Sequence, residues 1–321
     1  MKKLAMVFAT FMLALVTAAC GTNNATDKTS GAQADATKEA AAPAEITVKH
    51  ELGETVVKKN PQKVVVFDFG ALDTMDALGV EVAGIPQKSL PSYLDKYKDA
   101  KYINVGGLKE PDFEKIHEVK PDLIIISGRQ SDQYDEFKKI APTIYMGIDD
   151  KKYMESFTTN VKTLGQIFEK EAKADEELVK IEKEIKDLHE KVKADDKKAL
   201  VILANDGKVS AYGSTSRFGI IHDVFGFKQA DDKIETSTHG QSVSFEYILE
   251  KNPDYIFVVD RTAAVEGKSA AKQVVENDIV KKTNAFKNNK IIYLDPGYWY
   301  LSGGGLESVS EMLKETASVY K

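Results

Sequence analysis

Arginine is scarce in this chain, and where it stands suggests a chemistry. Lysine and arginine together number 44, yet only Arg129, Arg217 and Arg261 are arginine. Arg129 follows the apolar run 123–126 and Ser127-Gly128, while Arg261 follows the run 255–259 and Asp260. Arg217 lies in the turn-rich stretch Tyr212-Gly213-Ser214-Thr215-Ser216, just after another apolar run. A guanidinium is planar, forked and permanently charged, so it grips anionic oxygens in pairs where an ammonium acts as a point charge. In open α/β sheets, ligands bind outside the carboxyl ends of the strands. Lysine for routine surface charge and arginine at strand exits point to recognition of a compact anion. Compositional bias against arginine is the alternative reading.

Two of these positions belong to an internal repeat. Residues 113–129, FEKIHEVKPDLIIISGR, align without a gap with residues 245–261, FEYILEKNPDYIFVVDR, at an offset of 132. Each copy predicts a short helix, a Pro-Asp turn and a buried strand ending at an arginine. Common helix–turn–strand grammar explains the Pro-Asp pair and the apolar positions. Two related lobes also explain the matched Glu114 and Glu246, and the matched Arg129 and Arg261.

The elements that must hold these residues alternate in type. Strands are expected over 63–68, 82–85, 123–126 and 143–146, with a turn at Phe69-Gly70 and a helix over 72–78. A second set is expected over 199–204, 209–212, 255–259 and 291–294. Strands alternating with helices argue for parallel sheets and an α/β fold. Between the sets, Leu178, Ile181, Ile185, Leu188 and Val192 recur at helical spacing, with Lys and Glu elsewhere and no Gly or Pro. That pattern predicts one long helix over 171–195, either an ordinary amphipathic surface helix or a stiff strut joining two lobes over 46–170 and 196–321.

Lys2 and Lys3 precede an apolar run over 4–16 and then Thr17-Ala18-Ala19-Cys20, which predicts a secretory leader over 1–19. The apolar run is too short to span a bilayer comfortably. Cys20 is the sole cysteine, so there is no disulfide framework, and its place after small residues resembles a lipidation site. Residues 20–45 are small and polar and predict a flexible tether. The net charge is −6, or −8 without Lys2 and Lys3, which argues against nucleic acid as a partner. No G-x-S-x-G elbow, P-loop or H-E-x-x-H is present, and no enzyme activity is expected. The run Ser302-Gly303-Gly304-Gly305 suits either close packing or an anion at a helix start.

From about residue 46 onward the chain resembles the iron–siderophore substrate-binding proteins of ABC importers. The motifs are VVVFDFGALDTMDALGV at 64–80, EPDFEKIHEVKPDLIIISGR at 110–129, SAYGSTSRFGIIHDVFGF at 210–227, SFEYILEKNPDYIFVVDR at 244–261 and WYLSGGGLESV at 299–309. Within that family it looks most like the catecholate-type and petrobactin receptors. The resemblance implies two Rossmann-like α/β lobes joined by one long rigid helix, with the ligand cleft between them. It implies that Arg129, Arg217 and Arg261 converge there on a ferric siderophore of catecholate or catecholate–citrate type. Fe(III) would enter only within that ligand, with no permanently bound cofactor. Flat catechol rings make Tyr212, Phe218, Tyr298, Trp299 and Tyr300 candidate partners. His239 and Tyr300 would ligate iron only where the siderophore leaves coordination sites open. Glu114 and Glu246 would dock, one per lobe, on the permease dimer that works with its ATPase. The protein would be a monomer held at the outer face of the cell membrane through lipid on Cys20. A haem or cobalamin receptor of the same fold is the alternative.

Overall fold

The computed structural model describes residues 44–320. The leader, Cys20 and nearly all of the expected tether therefore lie outside the described residues. The described chain opens with an antiparallel hairpin, β1 (Glu45–His50) and β2 (Gly53–Lys58), which the sequence reading did not anticipate. There follow β3 (Val64–Val66), α1 (Phe69–Leu78), β4 (Gly84–Ile85), β5 (Ile103–Asn104), α2 (Phe113–Val119), β6 (Leu123–Ile126), α3 (Tyr134–Lys138), β7 (Thr143–Tyr145) and α4 (Tyr153–Ile167). Five of these strands form one parallel sheet in the order β5-β4-β3-β6-β7. The turn expected at Phe69-Gly70 is instead the first turn of α1. Asp68, in extended backbone, accepts the Ala71 N–H at 2.7 Å and caps the helix there.

A helix of 25 residues, α5 (Glu171–Asp195), leads to the second sheet. That part contains β8 (Lys198–Asn205), β9 (Lys208–Tyr212), α6 (Ile220–Asp223), β10 (Lys228–Gln229), β11 (Gln241–Val243), α7 (Phe245–Lys251) and β12 (Tyr255–Asp260). It ends with α8 (Arg261–Glu266), α9 (Ala271–Val275), α10 (Asn284–Lys287), β13 (Ile291–Leu294) and α11 (Leu306–Ala317). The order is β11-β9-β8-β12-β13, with β8, β12 and β13 parallel and β9 and β11 antiparallel to their neighbours. Every residue of β6 and of β12 is buried, as expected of strands covered on both faces.

Helix α5 is packed along one face. Ala174, Leu178, Ile181, Leu188 and Val192 are buried, Ile185 is half-buried, and the stripe rests on α4 and α11. The last helix departs from the division expected at 196–321. Helix α11 leaves the second sheet and packs on α1 of the first part and on α5. Fully buried Asp73 of α1 accepts the Glu307 and Ser308 N–H groups at the start of α11, each at 2.8 Å. Gly305 permits this approach, because a Cβ there would sit 2.2 Å from the Asp73 carboxyl carbon. One apolar cluster runs from Leu72 and Met75 through Leu188 and Val309 to Val201 and Phe257, so the two α/β lobes share a core.

Candidate functional site

The structure brings Arg129, Arg217 and Arg261 together around Tyr300. Each arrives by a turn held in place by its own side chains. At the exit of β6, fully buried Gln130 accepts the Ser127 N–H at 3.2 Å and donates to the Leu108 carbonyl at 2.5 Å. Arg129 is fixed between them. Arg261 opens α8, whose cap is Asp260, accepting the Ala263 N–H at 2.9 Å. The loop before Arg217 contains Thr215 at φ 55°, a left-handed conformation that a β-branched residue adopts only at a cost. Its N–H is captured by Asp223 at 2.6 Å, and the Ser216 hydroxyl donates to the Gly213 carbonyl at 2.5 Å.

The common target is a π-helical turn, Gly297–Ser302, whose last carbonyls lack helical donors. Arg129 Nη2 and Arg217 Nη2 both donate to the Tyr300 carbonyl, at 2.7 Å and 2.6 Å, and Arg129 Nη1 reaches the Leu301 carbonyl at 3.4 Å. Arg261 Nε donates to the Tyr300 hydroxyl at 3.1 Å, and its Nη1 to Asn205 Oδ1 at 2.9 Å. The Arg217 guanidinium carbon lies 4.1 Å from the Tyr300 ring centre; those of Arg129 and Arg261 each lie 6.0 Å away. Burial alone would raise the Tyr300 phenol, but the Arg217 charge and the Arg261 hydrogen bond hold it below its ordinary value. Burial and the neighbouring Arg217 weaken the hold of Arg129 on its proton, with Asp68 opposing them. Among the described residues none of the three guanidiniums is salt-bridged to a carboxylate, an arrangement chemically suited to anionic oxygens.

Two cavities flank Tyr300. One, of about 270 Å³, is lined by Arg129, Arg261, Lys88, Lys109, Val265 and Tyr300. The other, of about 340 Å³, is lined by Arg129, Arg217, Asp68, Asp150, Tyr153 and Tyr300. Lys88 and Lys109 follow β4 and β5 and so obey the same strand-exit logic as the arginines. The abundance of lysine hid them in the sequence.

The other aromatic candidates are each engaged in packing. Tyr212 and Phe218 meet edge to face at 4.7 Å, 2% and 1% exposed, and the Arg217 guanidinium carbon lies 5.5 Å from the Phe218 ring centre. Trp299 is 2% exposed; its indole N–H donates to Glu315 Oε2 at 2.7 Å, and the residue borders the 340 Å³ cavity. Tyr298 packs on Tyr93 with ring centres 4.5 Å apart and planes tilted by 37°. Of the five, Tyr300 hydrogen-bonds to all three arginines and Phe218 lies beneath the Arg217 guanidinium. His239 is exposed, its backbone N–H turned to Ser237 Oγ at 3.3 Å, and no hydrogen bond joins it to Tyr300. Among the described residues no group of three or more His, Cys, Asp or Glu is arranged to hold a metal.

Glu114 and Glu246 are exposed in the first turns of α2 and α7 and enter no ion pair among the described residues. Neither is needed as a cap. Asp112 accepts the Lys115 N–H at 3.1 Å, and Ser244 accepts the Tyr247 N–H at 3.2 Å.

Two α/β lobes with a cationic cleft define a class of substrate-binding protein. The chain matches the periplasmic binding protein family over residues 64–298 and belongs to it. It is 56% identical over 319 residues, 98% of each chain, to the petrobactin-binding protein YclQ of Bacillus subtilis. The crystal structure of YclQ superposes with a TM-score of 0.84 at 58% identity, covering 86% of this chain and 98% of that one. The ferric-anguibactin-binding protein FatB of Vibrio anguillarum is 33% identical over 282 residues, 86% of this chain and 88% of FatB. The iron uptake ABC transporter substrate-binding protein PiuA of Streptococcus pneumoniae superposes with a TM-score of 0.82 at 44% identity, covering 85% and 98%.

Proposed function

We propose that this chain captures an anionic ferric siderophore outside the cell and hands it to the permease of an ABC importer. The ligand class is catecholate or catecholate–citrate, petrobactin-like. The observation that carries this is the convergence of all three arginines on Tyr300, between two cavities, in a chain of net charge −6. The names borne by YclQ and FatB support the same cargo. Iron is cargo in this reading, and the protein binds without catalysing. The lipid on Cys20 anchors a monomer to the membrane, and Glu114 and Glu246 dock it on the permease dimer.

Trp299 is the sole tryptophan, so its fluorescence reports the cleft directly. Titration with ferric and iron-free petrobactin, a ferric hydroxamate, haem and cobalamin is expected to give the tightest saturable quenching with ferric petrobactin. Tighter quenching by haem or cobalamin overturns the proposal. For docking, Glu114→Ala and Glu246→Ala are each expected to preserve that titration while lowering radio-iron uptake by cells. Normal uptake, or uptake that falls only in step with binding, removes the docking role.

A further inference from the structure

The 340 Å³ cavity beside Arg217 contains a feature that an anion site alone does not explain. Asp150 lines it, half-buried, and its carboxylate makes no hydrogen bond or ion pair among the described residues. The other acid on the wall is committed: Asp68 caps α1 and is bonded by Ser127. Tyr153 is committed as well, its hydroxyl donating to the Gly303 carbonyl at 2.9 Å. Asp150 is thus an open acceptor in a cavity walled by two guanidiniums. It forms no salt bridge with Arg217, so it does not orient that side chain by contact. A carboxylate so placed repels an anionic cargo and favours a donor that arrives with the cargo.

Resting on the reading of this cleft as a ferric-chelate site, we propose that Asp150 selects chelates whose linker carries a protonated amine. The anionic chelate would face Arg129 and Arg217, and the ammonium of the linker would face Asp150 across the same cavity. Burial pushes the Asp150 carboxyl up, against the opposing charge of Arg217. An arriving ammonium supplies the partner that the ionised form lacks.

The test uses two isosteric ferric bis-catecholate chelates, one with a secondary amine in its linker and one with a methylene in its place. Affinities are read by Trp299 quenching. The wild-type protein is expected to prefer the amine chelate by about tenfold or more, the scale of one charged hydrogen bond. In Asp150→Asn the preference is expected to vanish, and in Asp150→Glu to survive in part. Arg217→Ala is expected to weaken both chelates together. Equal ratios in wild type and Asp150→Asn, or no preference in wild type, overturn the amine subsite while leaving the ferric-chelate reading intact. If neither chelate binds the wild-type protein, the chelate reading fails and this proposal falls with it.

Discussion

Replacing Arg217 with alanine is expected to weaken ferric-chelate binding by about 1.5–3 kcal/mol, the range for hydrogen bonds to a charged group. That is roughly a ten- to hundredfold rise in Kd. Arg217 stands closest to the Tyr300 ring and borders the cavity it shares with Arg129. Its removal takes away a charge and a planar fork together, so Arg217→Lys is expected to recover only part of the loss. The control is Lys183→Ala on α5, an exposed residue paired with Asp187 at 2.9 Å, which is expected to leave the titration unmoved. Equal losses from both variants would mean that net charge, and not the assembled cluster, governs binding.

The second large effect concerns stability. Asp73→Ala is expected to cost about 2–4 kcal/mol, combining a lost cap with buried N–H groups left unpaired. The Glu307 and Ser308 amides have this carboxylate as their partner, and Asp73 is fully buried. The denaturation midpoint measures the loss, which Asp73→Asn should reduce because an amide oxygen still accepts. Burial pushes the Asp73 carboxyl up from 3.8 to about 7, despite donors from Ser308 and Glu307. A raised carboxyl in the folded state keeps a proton that the unfolded chain has already released. Its contribution to stability is therefore full below about pH 4 and is lost as pH rises toward 7. Asp73→Asn is expected to flatten that part of the profile of thermal midpoint against pH. An unchanged slope in the variant would assign the pH dependence to other groups.

The residues that were legible in the sequence were those with local signals. Arg129 and Arg261 stood out because each ends a buried strand of a repeated unit, and α2–β6 and α7–β12 are those units. The long helix was legible from its apolar spacing and lack of breakers. The depth of burial of Tyr212 and Phe218 was not legible, because a turn-rich, aromatic stretch reads the same whether its rings face a cleft or a core. On β9, burial alternates from exposed Lys208 through buried Val209 and half-buried Ser210 to buried Ala211, but breaks at Tyr212, which is buried where the pattern expects exposure. That the Trp299 indole N–H is held by Glu315 was not legible, because that partner lies a turn and a helix away. The π-helical turn that offers the Tyr300 and Leu301 carbonyls has no compositional mark. Nor does Asp150, an acid in a loop among many acids, announce that it faces a cavity.

The return of α11 to α1 bears on how such a chain comes into being. Asp73 and Glu307 are 234 residues apart in sequence, yet they close one hydrogen bond. A ribosome delivers residue 73 long before residue 307, so the opening lobe waits for its last covering helix until synthesis is nearly complete. Contacts that distant in sequence slow folding, because a long loop must close before they form. A chain cut short of α11 would leave the face of α1 uncovered for proteases to find.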